Sequence, residues 1–318
     1  MPQRLRATIG IKPAKLAVSY RVDAENKMRD ARNVCSIQDM LRTRNGVQRL
    51  NGTAISSSNV LSVSFYKTLL NARKYIAKAG TSLYSVAETG SSSAIKTGLT
   101  SGLKHRSIIA NGRCIITCET DGLFSWDGTT FTQLGQAAPS TPNVAAGTGS
   151  LADSTYKVGI TFYSSTIGFE SNFTDSSAVA TSSQGIDVSS IPATAANDLI
   201  DKVRVYLRDD TANGAYLFIT ELSLGTTTYT IAANSTSTQT PPTTHAPPKS
   251  GGAKYLTTFG KKVVYSGNAT FPSEVFFSEE YIPDAFNDTD TAIVIKASGQ
   301  GPVTGIGTGF YDNSNMNT

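Results

Sequence analysis

The chain has 318 residues, enough for two domains with separate cores. Only 16% are charged, Ser, Thr, Gly and Asn abound, and 13 Tyr accompany 13 Phe, the composition of a β-rich protein with many turns. No run approaches the roughly 18 apolar residues of a membrane span, and the opening MPQRLRATIGIKPAKLAVSY has no apolar stretch of signal-peptide length, so a soluble protein made in a cytoplasm, with no membrane insertion, is expected. The net charge of +4 conceals a split: residues 1–113 hold nineteen Lys/Arg and five Asp/Glu, the rest nine and nineteen. Opposite charge blocks on a polar β-patterned chain point to a component that docks onto others, not to a small-molecule pocket.

Residues 1–55 read as a basic N-terminal arm and hairpin. The segment 23–39 is expected as a short helix or irregular arm. Asn45-Gly46, between alternating residues in MLRTRNGVQRLNG, signals a hairpin turn. In residues 56–137, Tyr75-Ile76-Ala77 and Ser82-Leu83-Tyr84-Ser85-Val86 flank a turn at Ala79-Gly80-Thr81. HRSIIANGRCIITCETDGLFSWDGTTFTQLG then gives four short strands joined at Asn111-Gly112, Asp121-Gly122 and Asp127-Gly128, one antiparallel meander. Repetition of such units implies a propeller-like sheet array.

AAPSTPN (137–143) reads as a linker, and the rhythm changes after it. Tyr156, Val158, Ile160 and Phe162 share one strand face, and GFES (168–171) makes a turn. Val203, Val205 and Leu207 alternate with Arg204, Tyr206 and Arg208; Asn213-Gly214 turns the chain into 216–222, and 227–231 ends the unit. Residues 138–240 therefore fit an Ig/fibronectin-III-like β-sandwich. The Pro-rich stretch 240–252 reads as an extended, semi-rigid connector. KYLTTFGKKVVYSGN and SEVFFSEEYIPDAFN then resume the first rhythm, so 241–318 is a linker plus a second propeller-like segment. The fold class expected is all-β: a partial or open propeller-like array interrupted by a sandwich. The array either closes with other chains or stays small and open.

Little in the chain points to bond chemistry. His105 lies in the basic GLKHRS turn and His245 in the proline linker, neither in a nucleophile-activating context. Cys114 and Cys118 lie about 13 Å apart along a strand at ~3.3 Å per residue, beyond disulfide reach, and Cys35 has no obvious partner; all three read as buried thiols. Five Asn-x-Ser/Thr triplets, at Asn51, Asn172, Asn234, Asn268 and Asn287, reflect a Ser/Thr-rich chain. Glu279, Glu280 and Asp284 are expected at an exposed loop or strand end, because adjacent strand residues face opposite ways. Asp288-Thr289-Asp290 and Asp312-Asn313-Ser314-Asn315 lack the Gly and terminal Glu of a calcium loop. TGIGTG (304–309) has no helix signal after it. No catalytic, cofactor or metal residue is assigned.

The remaining signal is basic: Arg4, Arg6, Lys12, Lys15, Arg21, Lys27, Arg29, Arg32, Arg42, Arg44 and Arg49 are interspersed with polar residues. Without regularly placed aromatics, this predicts contact with DNA phosphates or with an acidic partner surface, not sequence readout.

Three stretches carry a resemblance. ARNVCSIQDMLRTRNGVQRLN resembles the opening of phage virion proteins. STYKVGITFYSSTIGFES, VRVYLRD and GAYLFITELSLGTTTYT resemble the sandwich inserted in them. AKYLTTFGKKVVYSGN, PSEVFFSEEYIPDAF and GQGPVTGIGTGF resemble their next propeller segment. The chain thus resembles the β-propeller tail and head-completion proteins of tailed bacteriophages, including nozzle proteins of short-tailed phages. Members of that family usually continue beyond the equivalent of Thr318, so the resemblance does not imply a complete single-chain propeller. It implies a non-enzymatic structural protein of the virion, at the head–tail connector or in the tail nozzle or tube. It would assemble as a homo-oligomeric ring, expected hexameric, against portal, adaptor or tail proteins, with non-specific contact to packaged dsDNA and no cofactor. The alternatives are a phage-tail propeller that binds or processes glycans and a cytoplasmic adaptor that binds a partner through its sandwich.

Overall fold

The computed structural model describes residues 54–68, 72–287 and 302–306, together with the backbone of four strands between 19 and 43 and of one at 292–294. The chain divides into two units, Met1–Gly52 and Thr53–Thr318, and every regular element described in either is a strand.

In Met1–Gly52, β1 (Ser19–Val22) pairs antiparallel with β2 (Met28–Arg32), and β3 (Val34–Ile37) with β4 (Met40–Thr43). Segment 23–39, expected as a helix or irregular arm, therefore carries two strands. Its β-branched Val34 and Ile37 bound a four-residue extended run and favour the pleated conformation. Ile37 stands opposite Met40. The turn expected at Asn45-Gly46 lies outside the described residues.

Thr53–Thr318 opens with a meander of β5 (Val60–Lys67), β6 (Arg73–Ala79), β7 (Ser82–Ala87) and β8 (Ser92–Lys96). A second follows: β9 (Arg106–Ala110), β10 (Arg113–Thr117), β11 (Leu123–Trp126) and β12 (Phe131–Gln133), in the spatial order β12-β11-β10-β9. Its turns fall where the Asn-Gly and Asp-Gly pairs predict. Asn111 and Gly112 both take positive φ, +48° and +74°, as a two-residue hairpin matching strand twist requires. Asp127 Oδ1 accepts from the N–H groups of Thr129 and Thr130, both at 2.7 Å, which folds the next turn around a side chain.

Between the second and third meanders lie β13 (Asn143–Gly147), β14 (Ser154–Ser164), β15 (Phe169–Glu170), β16 (Thr174–Asp175), β17 (Val179–Thr181), β18 (Gly185–Ser189), β19 (Lys202–Asp209), β20 (Leu217–Ser223) and β21 (Tyr229–Ile231). They form a three-stranded sheet, β13-β18-β21, and a larger one, β15-β14-β19-β20, with β16 and β17 also on β14. The predicted stripe of Tyr156, Val158, Ile160 and Phe162 meets Val203, Val205 and Leu207 on one side, and Ile186, Val188 and Ile231 close the core from the other sheet. Every residue of that stripe is buried.

The third meander comprises β22 (Tyr255–Phe259), β23 (Lys262–Ser266), β24 (Glu274–Glu279) and β25 (Ile282–Phe286), with β26 (Ala292–Val294) also paired to β24. Among the described residues no sheet closes on itself.

The three meanders stack face to face. Tyr66, Ile76 and Leu83 of the first pack on Cys114, Ile116, Phe124 and Trp126 of the second. The opposite face of the second, with Ile115 and Leu123, packs on Val263, Tyr265, Phe276 and Phe286 of the third. Complete burial of one such large apolar side chain contributes about 1.5–3 kcal/mol. The first strands also meet, with β9 lying against both β5 and β22. The third meander touches the inserted unit through Ala285 and Ile282, which join its core.

The connector 240–252 packs against neighbouring elements at several points. Ala246 makes a backbone bridge to Phe286, His245 Nδ1 lies 2.6 Å from the Glu170 carbonyl, and Asn268 Nδ2 donates to the carbonyls of Ser250 and Gly252. Four prolines remove four backbone donors from this stretch, and of those that remain the His245 N–H donates to Asn172 Oδ1 and the Lys249 N–H to the Tyr265 hydroxyl.

Candidate functional site

Three polar clusters and one open sheet face are the places where this fold could meet chemistry or a partner. The first cluster is at the joint between the first two meanders. His105, 4% exposed, directly precedes β9 and lies between two β5 hydroxyls, Ser62 Oγ 2.7 Å from Nδ1 and Ser64 Oγ 2.8 Å from Nε2. The His105 N–H donates to Ser62 Oγ at 3.0 Å, leaving that hydroxyl's hydrogen for Nδ1. Ser62 and Ser64 share a strand face because they are two residues apart. A serine beside a histidine suggests nucleophilic catalysis, but the imidazole is a poor base here. Burial, and then the Lys78 ammonium, push its pKa down from 6.5 to about 4, so at neutral pH the ring is uncharged, lacks the imidazolium proton of a general acid and accepts one weakly. Among the described residues its hydrogen bonds go to serines, with no carboxylate orienting it. The cluster ties two sheets together.

A pH dependence follows. Because the folded pKa lies below the unfolded one, stability is complete above about pH 6.5. It falls as the unfolded chain alone takes up the proton, by about 3 kcal/mol down to pH 4. Urea unfolding across that range should show a slope that His105→Gln removes. Equal slopes in the two proteins would mean the histidine is not held neutral.

The second cluster joins the second and third meanders. Arg113, on the β10 face that carries Ile115, forms a two-pronged ion pair with Asp284 of β25; Nη2 meets Oδ2, and Nη1 lies 3.2 Å from Oδ1. Arg113 Nη1 also donates to Ser125 Oγ at 2.9 Å, and the Gly135 N–H donates to Asp284 Oδ1 at 3.2 Å. The side chains are 6% and 1% exposed. This corrects the expected exposed position of Asp284. The strand places Asp284 between buried Pro283 and Ala285, and the arginine makes burial of its charge possible. Glu279 does end a strand, and Glu280 is exposed.

The third cluster covers the outer face of the larger inserted sheet. Glu170 Oε1 accepts from Thr161 Oγ1 at 2.7 Å and from the Tyr206 hydroxyl at 2.5 Å, while Oε2 accepts from Arg204 Nη1 at 2.7 Å. Arg204 also donates to Glu221, from Nε at 2.8 Å, and its guanidinium sits 3.4 Å from the centre of the Tyr163 ring. Burial, and then the bond to Glu170, push the Tyr206 phenol up. Two carboxylates near one another suggest glycoside hydrolysis, yet both are engaged by Arg204, and Glu170 is buried beneath it.

Other candidates resolve quietly. Cys114 and Cys118 are buried free thiols whose pKa burial pushes up to about 12, so they stay protonated and unreactive. A shallow depression between β18 and β21 presents one carboxylate, Asp187, which accepts from Thr230 Oγ1 at 2.6 Å. Among the described residues no group of three or more His, Cys, Asp or Glu could hold a metal. The acidic runs at 288–290 and 312–315 lie outside the described residues, as does Cys35 apart from its place in β3. No helix is long and apolar enough to cross a membrane among the described residues.

Of the basic residues singled out by sequence, Arg21 stands on β1 opposite Asp30, Arg29 and Arg32 on β2, and Arg42 on β4 opposite Cys35. Arg4, Arg6, Lys12, Lys15, Lys27, Arg44 and Arg49 lie outside the described residues.

The open face belongs to the first meander. Two rungs cross all four strands: Val63, Ala77, Tyr84 and Ala94, then Phe65, Tyr75, Val86 and Ser92. Phe65 and Tyr75 rings lie 5.8 Å apart. Val63 is 60% and Phe65 47% exposed, and Lys67 opposite Arg73 makes the next rung. Sequence reading missed this face, although Val63, Phe65 and Tyr75 alternate visibly on it. It also missed Arg113, the one cation of β10, and Lys78, flanked by alanines in β6; a cation among small or apolar strand residues signals a buried charge in search of a partner. Lys78 finds the carbonyls of Gly80 and Thr100, at 2.6 and 3.1 Å.

No family model, no curated protein and no solved structure matches this chain.

Proposed function

We propose that this chain is a structural protein of a tailed-phage particle, one wall segment of a ring at the head–tail connector or tail nozzle through which DNA passes. The observation that carries this reading is the stack of three four-stranded meanders that meet along their first strands, interrupted by a two-sheet unit. We read the meanders as propeller blades and the inserted unit as an Ig/fibronectin-III-like sandwich. That order of parts is the one the sequence resemblance implies. The ring is homo-oligomeric, expected hexameric, and abuts portal, adaptor or tail proteins. The work is mechanical: enclosing a conduit without making or breaking bonds. The polar clusters fit that role, since the first two tie neighbouring sheets together and the third ties strands within one sheet. The basic residues of Met1–Gly52, among them Arg21, Arg29, Arg32 and Arg42, meet acidic neighbouring subunits or the phosphates of passing DNA, the latter in a salt-dependent manner.

The test is location. Mass spectrometry of purified particles should find the chain at a fixed multiple per particle, and electron microscopy should place it on the tail axis. Particles assembled with Arg42→Glu/Arg44→Glu chains should lose integrity or fail to form. Infectious particles that lack the chain altogether would overturn the reading.

A further inference from the structure

We infer that the open face of β5–β8 is a self-association surface, occupied by the acidic part of a second copy of this chain. The inference rests on the assembly reading above and names the surface that assembly would use.

Three observations carry it. Among the described residues, the second meander is covered on both faces, by the first and third, whereas the first meander joins a core cluster through one face only. Its other face presents exposed Val63 and Phe65, with Tyr75, Tyr84 and Ala94, around the buried Ala77 and Val86, an apolar field that crosses all four strands. An apolar field of this continuity marks an interaction surface more than a solvated one.

The identity of the occupant comes from charge. Residues 54–113 hold eight Lys/Arg against one carboxylate, Glu88, whereas 114–287 hold eight against sixteen. The apolar rungs end in Lys67 and Arg73. Glu88 approaches Arg73 at 3.4 Å across an exposed pair, and Lys67 continues the basic rim. Two copies of this face brought together about a two-fold axis would oppose like rims, which disfavours that pairing. The same face set against the acidic remainder of another copy is complementary. Such a contact joins two different surfaces, so it repeats head to tail and generates a ring where the rotation closes.

The experiment uses the full chain. Light scattering at low salt should give wild-type masses at a multiple of 33.6 kDa, dissociating as salt rises. Phe65→Glu should give the mass of one chain at the same concentration, with an unchanged melting temperature, since Phe65 is already half exposed. Lys67→Glu/Arg73→Glu leaves the apolar field intact and should weaken association at least tenfold while abolishing its salt sensitivity. Carbodiimide coupling on a mixture of isotope-labelled and unlabelled chains should join Lys67 to carboxylates within 114–287 of a different copy.

Oligomers unchanged in all three substitutions would overturn the inference and leave the ring reading standing on another surface. A monomeric wild type would also overturn it, with the ring reading then decided by the particle experiment. Coupling of Lys67 to residues 1–52 of its own chain would show an intramolecular cover and overturn it too.

Discussion

Arg113→Ala should lower the unfolding free energy by about 3–5 kcal/mol, because it strands the Asp284 carboxylate inside the protein. Asp284 is 1% exposed and accepts from the guanidinium and from the Gly135 N–H. With the arginine gone, one N–H remains to face a full negative charge. Asp284→Ala should cost a similar amount by leaving the guanidinium without its anion, although Ser125 still accepts from it. The double replacement Arg113→Met/Asp284→Leu should recover most of the loss, since a well-packed apolar pair of similar volume commonly does as well as a buried ion pair. Urea unfolding of these proteins, with Arg113→Met and Asp284→Leu added as single variants, forms a complete cycle. A double variant no more stable than the worse single one would refute the account of these charges as a mutually dependent pair.

Gly252→Ala should cost about 3–4 kcal/mol, from left-handed backbone strain and forced overpacking together. Gly252 has φ +61°, and a Cβ there would lie 1.9 Å from the carbonyl oxygen of Glu119 and 2.9 Å from the Gly122 nitrogen. Both are backbone atoms of the turn after β10, so no side chain can swing aside. Gly260 is the internal control: φ is +58°, with nothing within 4 Å of the position its Cβ would take. Alanine there should cost only about 1 kcal/mol, the conformational part alone. Equal losses at the two sites would show that close approach of the connector to that turn has no energetic weight.

The second meander and the inserted strand pairs were legible in the sequence because local chemistry determined them. Asn111-Gly112 fixes a turn whatever surrounds it, and alternation from Tyr156 to Phe162 leaves one face to bury. The strands in 23–39 were not legible, since four- and five-residue elements such as MRDAR lack a full apolar period and depend on their pairing partner. The burial of Asp284 and the contacts of the connector were hidden for a different reason. Their placement is decided by residues far away in sequence, Arg113 for the one, Glu170, Phe286 and Asn268 for the other, and no local pattern records such a partner. The same holds for His105: sequence placed it in a basic turn, and only the stacking of two sheets surrounds it with Ser62 and Ser64.

The Arg113–Asp284 pair also bears on the order in which the chain acquires its shape. Its partners are 171 residues apart, a separation that an unstructured chain would close slowly and at high entropic cost. Between them lies a unit whose entry and exit are already side by side. Gly135 at its start is so near the other end that an added Cβ would lie 2.9 Å from Pro248. Once that unit has collapsed on its own core, the long tether becomes in effect a short one, and the third meander can find the second by a local search. Unfolding the insert should therefore delay docking of the third meander onto the second, and pulling the chain from both ends should release the third meander before the insert yields.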